Sequence, residues 1–185
     1  MKAAKSGCSF AKRLYIDEKA NSHFKEQLKK DGFSYVGVFQ GVIGQLKASY
    51  VVPTLDIALV EDEATLDSCI ELISETFKVP KSYKSAMKAS NKLFHWAAKK
   101  DGKVVSCLTT LIDGGVVSFW NGATLPEYRR QGLSTALRKL ALNHAITKGC
   151  HTGASFLMAE ALALGICKNL GFQTKWRFEV YQVAS

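Results

Sequence analysis

Residues 116–137, Val-Val-Ser-Phe-Trp-Asn-Gly-Ala-Thr-Leu-Pro-Glu-Tyr-Arg-Arg-Gln-Gly-Leu-Ser-Thr-Ala-Leu, decide the reading of this chain. They divide into an apolar strand from Val116 to Ala123, a short polar loop, and the start of an amphipathic helix near Ser134. The loop carries Arg129, Arg130, Gln131 and Gly132. A strand that feeds a glycine-bearing loop at a helix N-terminus is a site for an anion. The first turn of a helix leaves backbone N–H groups unpaired, and the macrodipole adds partial positive charge there. Gly132 lets the main chain approach a phosphate with no Cβ in the way. The two arginines add charge and hydrogen-bond donors for phosphate oxygens.

Outward from that stretch, the chain reads as an alternation of short elements. A meander precedes it: Phe94 to Lys99 turns at Asp101-Gly102 into Val104 to Ile112, which turns at Asp113-Gly114-Gly115 into Val116 to Ala123. Asp-Gly between apolar runs is a hairpin signal. Earlier still, Leu55 to Val60 is a short strand after Pro53, and Asp62 caps a helix with Leu66, Ile70, Ile73 and Phe77 at helical spacing. Pro80 ends that helix. Ser82 to about Phe94 reads as a second, with Tyr83, Met87 and Phe94 inward and a lysine row outward.

After the decisive stretch, a helix from Ser134 to Lys148 presents Leu137, Leu140, Ala141, His144 and Ala145 to the core, and Gly149 stops it. His144 reads as a packed or boundary histidine. Strand Thr152 to Leu157, helix Glu160 to Asn169 and a final strand pair within Phe172 to Val183 complete the chain. Residues 1–54 are harder to read. Asn21 to Asp31 forms a helix with Phe24 and Leu28 on one face and Gly32 as its C-cap, and a glycine-spaced apolar segment (Gly37, Gly41, Gly44) comes next.

Composition narrows the class. The 185 residues suffice for one domain with a core, and no apolar run approaches the roughly 20 residues that span a bilayer. Met1 to Cys8 lacks the apolar stretch of a secretory signal, so no leader and no lipid anchor are expected. Five scattered cysteines (Cys8, Cys69, Cys107, Cys150, Cys167) without a Cys-x-x-Cys spacing point to reduced thiols and a cytoplasmic protein. The four histidines are dispersed, and no metal is expected.

The net charge of +9 is uneven: residues 1–30 hold eight Lys/Arg against three acids, and residues 81–100 hold six lysines and no acid. Lys84, Lys88 and Lys92 fall four apart and line one helix face. A solvated face accounts for such a row, and an acidic partner is the functional reading. With no RNA-binding motif and no interleaved aromatics, nucleic acid is not an expected partner.

Arg129-x-x-Gly132-x-Ser134 resembles the acetyl-CoA-binding motif of the GCN5-related N-acetyltransferases, Gln/Arg-x-x-Gly-x-Gly/Ala, with Ser134 where the family carries Gly or Ala. A second run, Glu160-x-x-Ala163-x-x-Ile166-Cys167-x-x-Leu170-Gly171-Phe172, is similar to the family's Asn-x-x-Ala-x-x-Leu-Tyr-x-x-Leu-Gly-Phe. The element order (strand, two helices, three strands, helix, strand, helix, strand) is also the family's. The resemblance covers about residues 55–183. It implies an α+β fold, a mixed and mainly antiparallel sheet flanked by helices. It divides the chain into an N-terminal appendage, 1–54, and an acetyltransferase domain, 55–185. On Gly32-Phe33 the appendage loosely resembles the tail of a degenerate N-terminal half of two-part acetyltransferases. Packing on the rest of the chain or on a second copy is expected of it.

The resemblance further implies acetyl-CoA as cosubstrate and a small-molecule or peptide amine as acceptor. The strand ending at Ala123 would part from Thr152–Leu157, with the pantetheine arm in the gap. Backbone groups of Ala123 and Leu125 would bond that arm, and amides from Arg130 to Ser134 would hold the pyrophosphate. Thr124, Arg129, Gln131, Leu133 and Thr135 complete this cradle around Gly132. The family's proton-donating tyrosine is here Cys167, and its asparagine is Glu160. Those two are the catalytic candidates. For Cys167 the competing role is a small buried hydrophobe, and for Glu160 a helix cap. A non-catalytic acyl-CoA-binding module, or a binder of an acidic partner, is therefore the alternative reading.

Overall fold

In the computed structural model the turns at Asp101-Gly102 and Gly114-Gly115 close two hairpins, with φ of 51° and 76° in the first and 53° and 76° in the second. Two consecutive positive φ values are what tight hairpin turns of twisted strands require. They join β4 (Leu93–Lys100), β5 (Lys103–Asp113) and β6 (Val116–Thr124) into an antiparallel meander. The structure describes residues 13–19, 22–79, 83–88 and 90–183. Pro80 and Ser82, expected to end one helix and open the next, lie outside the described residues, as do Cys8, Asn21 and the Tyr83 side chain.

Around the meander, the other described strands are β1 (Arg13–Asp17), β2 (Phe33–Gln45), β3 (Ile57–Leu59), β7 (Thr152–Met158) and β8 (Gln173–Val183). All eight form one sheet in the order β1-β8-β2-β7-β6-β5-β4-β3. Every neighbouring pair is antiparallel except β6 and β7, which are parallel. A parallel pair needs a crossover, and here that crossover is α4 (Leu133–Thr147). The glycine-spaced segment is β2 itself, paired on one side with β7 and on the other with β8. Gly41 and Gly44 admit aromatic rings: a Cβ would meet the Trp176 ring at the first and the Phe172 ring at the second.

Helices cover both faces. On one, α2 (Glu63–Phe77) and α3 (Tyr83–Lys88) bury Cys69, Ile70, Ile73 and Met87 against Ala97, Cys107 and Ala123. On the other, α4 and α5 (Leu162–Asn169) bury Leu137, Ala141, Leu164 and Cys167 against Trp96, Leu108, Val117 and Phe119. Adjacent Trp96 and Ala97 thus serve opposite faces, as the two-residue period of a strand demands. Asp62 caps α2 as expected, accepting a hydrogen bond from the Thr65 amide at 2.7 Å. Among the described residues no helix is long and apolar enough to cross a membrane.

Four local expectations change. The helix expected to reach Phe94 ends at Lys88, and Phe94 belongs to β4. A turn intervenes, in which Ser90 Oγ accepts from the Lys92 amide at 3.2 Å and the Ser90 carbonyl accepts from Leu93. A serine side chain that bonds the backbone two residues on competes with helix continuation. The final strand pair is instead one strand of 11 residues, because β8 finds partners on both sides, β1 and β2. On α1 (Ser22–Lys30), Leu28 is buried while Phe24 is 51% exposed. The lysine row is also not simply solvated: Lys84 and Lys88 pair with Glu63 and Asp67 of α2, and Lys92 pairs with Asp113 at 2.9 Å.

Candidate functional site

The parallel ladder between β6 and β7 is short. It runs from Val116 opposite Thr152 to Phe119 opposite Ser155 and then stops, although β6 continues to Thr124 and β7 to Met158. A bulge in β6 accompanies the split. Cys107 of β5 faces Ala123 and Thr109 faces Trp120, so β6 carries one residue more than its partner. Within that excess, Asn121 adopts φ of 50°, a left-handed conformation rare outside glycine. Such a bulge bends its strand and redirects the residues beyond it. Here it turns β6 away from β7, and a wedge opens between them.

At the open end of the wedge the chain leaves Thr124, makes a 3-10 turn at Pro126–Tyr128 and enters α4. Gly132 is the N-cap residue with φ of 79°, and it has no side chain with which to cap the helix. The helix ladder opens with Ala136 N–H donating to the Gly132 carbonyl at 2.9 Å. The amides of Leu133, Ser134 and Thr135 precede it and have no intrahelical acceptor. Arg130, also left-handed at φ of 61°, and Arg129 flank this uncapped end, both exposed.

These elements line a cleft of roughly 560 Å³. Of the ten expected cradle residues, Ala123, Thr124, Arg129, Arg130, Gly132, Leu133, Ser134 and Thr135 line it. Leu125 and Gln131 do not. Leu125 has already spent its backbone: its N–H donates to Val105 at 2.9 Å and its carbonyl accepts from Tyr128 at 3.0 Å. The exposed Gln131 side chain turns back to the Glu127 carbonyl at 3.2 Å. From the opposite walls come Thr76 and Phe77 of α2 and Leu162, Ile166 and Asn169 of α5, none of which was among the expected cradle residues.

The catalytic candidates sit apart from the cleft lining. Glu160 is exposed in the turn after β7; α5 begins at Leu162 with Ala161 as its N-cap, so Glu160 neither opens nor caps that helix. Cys167 is fully buried on the inner face of α5. Burial pushes its thiol pKa up, against a smaller downward pull from Arg138.

Arg138 is the residue that sequence reasoning missed. It lines the cleft yet is only 3% exposed, and burial draws its pKa down. The signal for it was a charged side chain between Leu137 and Ala141 on the apolar stripe of α4. Among the described residues that line the cleft there are three arginines and no carboxylate. An uncapped helix start, the two exposed guanidinium groups beside it and a wedge between strands together suit an elongated ligand with a strongly anionic end.

Comparison with known proteins agrees with this geometry. A family model described as Acetyltransferase (GNAT) family matches residues 65–172. The chain belongs to this family. Its matched region runs from the first turn of α2 to the residue before β8, and so includes the whole cleft. No curated protein matches the sequence.

Among solved structures, a GCN5-related N-acetyltransferase from Sphaerobacter thermophilus is 13% identical with a TM-score of 0.74. The match covers 94% of this chain and 60% of that one, so this GNAT chain spans less than two thirds of that relative's length. A GCN5-related N-acetyltransferase from Kribbella flavida is 17% identical with a TM-score of 0.65, over 94% of this chain and 68% of the other. AAC(6')-Iy, solved with the bisubstrate analog CoA-S-monomethyl-acetylneamine, is 22% identical with a TM-score of 0.56, over 65% and 92%. At these identities the likeness is one of fold.

Proposed function

We propose that this GNAT chain transfers an acyl group, in the simplest case acetyl from acetyl-CoA, to the amine of a small molecule or peptide. The observation that carries the reading is the uncapped start of α4, flanked by Arg129 and Arg130, at the open end of the β6–β7 wedge. The amides of Leu133, Ser134 and Thr135 would take the pyrophosphate, with the two arginines neutralising it. The pantetheine arm would run along the wedge past Thr124 and Ala123. A protein of the same fold was solved with a CoA-containing bisubstrate analog, which supports a CoA thioester as the donor.

In the reaction the neutral amine attacks the thioester carbonyl carbon, a C–N bond forms, the C–S bond breaks and CoA leaves as thiolate. The proton shed by the amine passes to water. No protein nucleophile is required, and the chain contributes positioning and electrostatics. Neither Cys167 nor Glu160 lines the cleft, and that favours a second reading, an acyl-CoA-binding module without turnover.

Calorimetry with acetyl-CoA, together with free-CoA release against a panel of amines, peptides and aminoglycosides, tests both readings. Binding with release for at least one amine is the expected result. Binding without release across the panel supports the second reading. Absence of binding at millimolar acetyl-CoA overturns both.

A further inference from the structure

Arg138 is the only charged side chain among the described residues that is fully buried. Its Nη1 donates to the Ser134 carbonyl at 3.1 Å and to the Ser134 hydroxyl. The guanidinium carbon stands 5.6 Å from the centroid of the Phe119 ring, and the Cys167 thiol lies beside it. Its Nε is buried and has no hydrogen-bond partner. None of these neighbours carries a negative charge. Removing a charge from water without a counter-charge is strongly destabilising. The cation is moreover tied to Ser134 in the first turn of α4, where the helix dipole is already positive. Both penalties disappear if an anion enters the cleft.

The position says which part of a ligand would supply it. Arg129 and Arg130 lie exposed at the open end, beside the amides suited to a diphosphate. Arg138 is one helical turn further in, towards the closed end of the wedge. Phe119, the last residue of the parallel ladder, is under its guanidinium. Gly122 leaves the room it occupies, since a Cβ there would stand 3.1 Å from Nη2. With Nη1 held by Ser134 and the guanidinium also bonded to Cys167, the buried Nε is the atom left without a partner, and a carboxylate that grips a guanidinium side-on bonds Nε.

We propose that Arg138 receives a carboxylate carried on the acyl group, so that the preferred donor is a dicarboxylic acyl-CoA of the malonyl or succinyl kind. This rests on the acyl-CoA reading above and narrows it. The chemistry of transfer is unchanged, and the product is an amide that bears a free carboxylate.

The test compares CoA, acetyl-CoA and succinyl-CoA by calorimetry on the full chain, its Arg138→Met variant and its Arg138→Lys variant, with CoA release measured alongside. For the wild type, succinyl-CoA is expected to bind ~10-fold or more tightly than acetyl-CoA, the scale of one charge-assisted hydrogen bond. Arg138→Met is expected to erase that preference, and Arg138→Lys to keep part of it. If Arg138→Met does not fold, the wild-type ratio and the Lys variant still decide. Equal affinity of the wild type for the two esters overturns the inference and leaves the acyl-CoA reading standing. Equal weakening of all three ligands in Arg138→Met places the arginine on the CoA moiety and also overturns it. A fall in turnover alike for both esters, at unchanged affinity, assigns Arg138 to the departing thiolate and does the same. Failure of CoA itself to bind removes both proposals.

Discussion

Phe119 and Ser155 are the last paired residues of β6 and β7, and Ser155 Oγ donates to the Phe119 carbonyl at 3.4 Å. Beyond them the two strands part. The cleft therefore begins where a hydrogen-bond ladder ends, and its mouth is a helix start that has no side-chain cap. This geometry makes the loop from Arg129 to Thr135 the most sensitive part of the proposed site.

Gly132→Glu is expected to abolish acetyl-CoA binding, because it sets a negative charge at the uncapped amides. Gly132→Ala is the control for backbone strain. Its φ of 79° is left-handed and a Cβ there would touch nothing within 4 Å, so the alanine should cost about 1–2 kcal/mol of stability with binding reduced far less. Calorimetry on both folded variants checks this. Unchanged affinity in Gly132→Glu would move the cofactor site elsewhere.

Cys167→Ala is expected to leave turnover within a few-fold and to cost about 1 kcal/mol of stability. The thiol is fully buried, it does not line the cleft, and burial holds its pKa up, and these are the grounds for expecting a packing role. A working general acid would instead lose on the order of 100-fold when removed. Steady-state rates and a chemical denaturation curve separate the two outcomes.

Deleting residues 1–53 is expected to yield no soluble, cooperatively melting protein. The segment contributes β2, which pairs Phe39 to Gln45 with β7 and Phe33 to Ile43 with β8. Its removal would expose the edge of β7 and strip β8 of the strand that ties it to the sheet. A truncated chain that is monodisperse and melts like the full one would show that the two segments are independent units.

Stability is expected to fall on acidification from about pH 6.5. His95 is desolvated between Thr109 and the Met87 carbonyl, to which its ring nitrogens lie at 3.1 Å each, and burial lowers its pKa from 6.5. His144 packs against Phe94 and Trp96, and burial, with a smaller contribution from Lys148, lowers its pKa as well. For both, the unfolded chain takes up a proton before the folded one does. Their stabilising effect is thus complete above pH 6.5 and lost as pH falls through the folded-state values. Melting temperatures between pH 7.5 and 5 should show a decline that is shallower in His144→Phe, whose ring needs no proton. Identical slopes would remove His144 from the account.

Local chemistry in the sequence was enough for the hairpin turns, the cap of α2 and the order of elements from β3 to α5. Asp101-Gly102 and Gly114-Gly115 can adopt paired positive φ values cheaply, Asp62 finds the Thr65 amide three residues on, and Gly132 cannot cap the helix it precedes. Each of these depends on residues within a few positions of one another, and so it is legible in a line of letters. The loop from Arg129 to Gly132, set between a strand and a helix start, is legible for the same reason. What folding alone decided is non-local. The insertion of β2 between β7 and β8 joins Gln40 to Leu157 and to Arg177, more than a hundred residues away. The end of the ladder at Phe119 depends on how far β7 can track a bulged strand. The burial of Arg138 needs α4, α5 and Gly122 to close on it together. No periodicity along the chain encodes such meetings, because the free energy that drives them comes from surfaces that only the assembled sheet brings face to face.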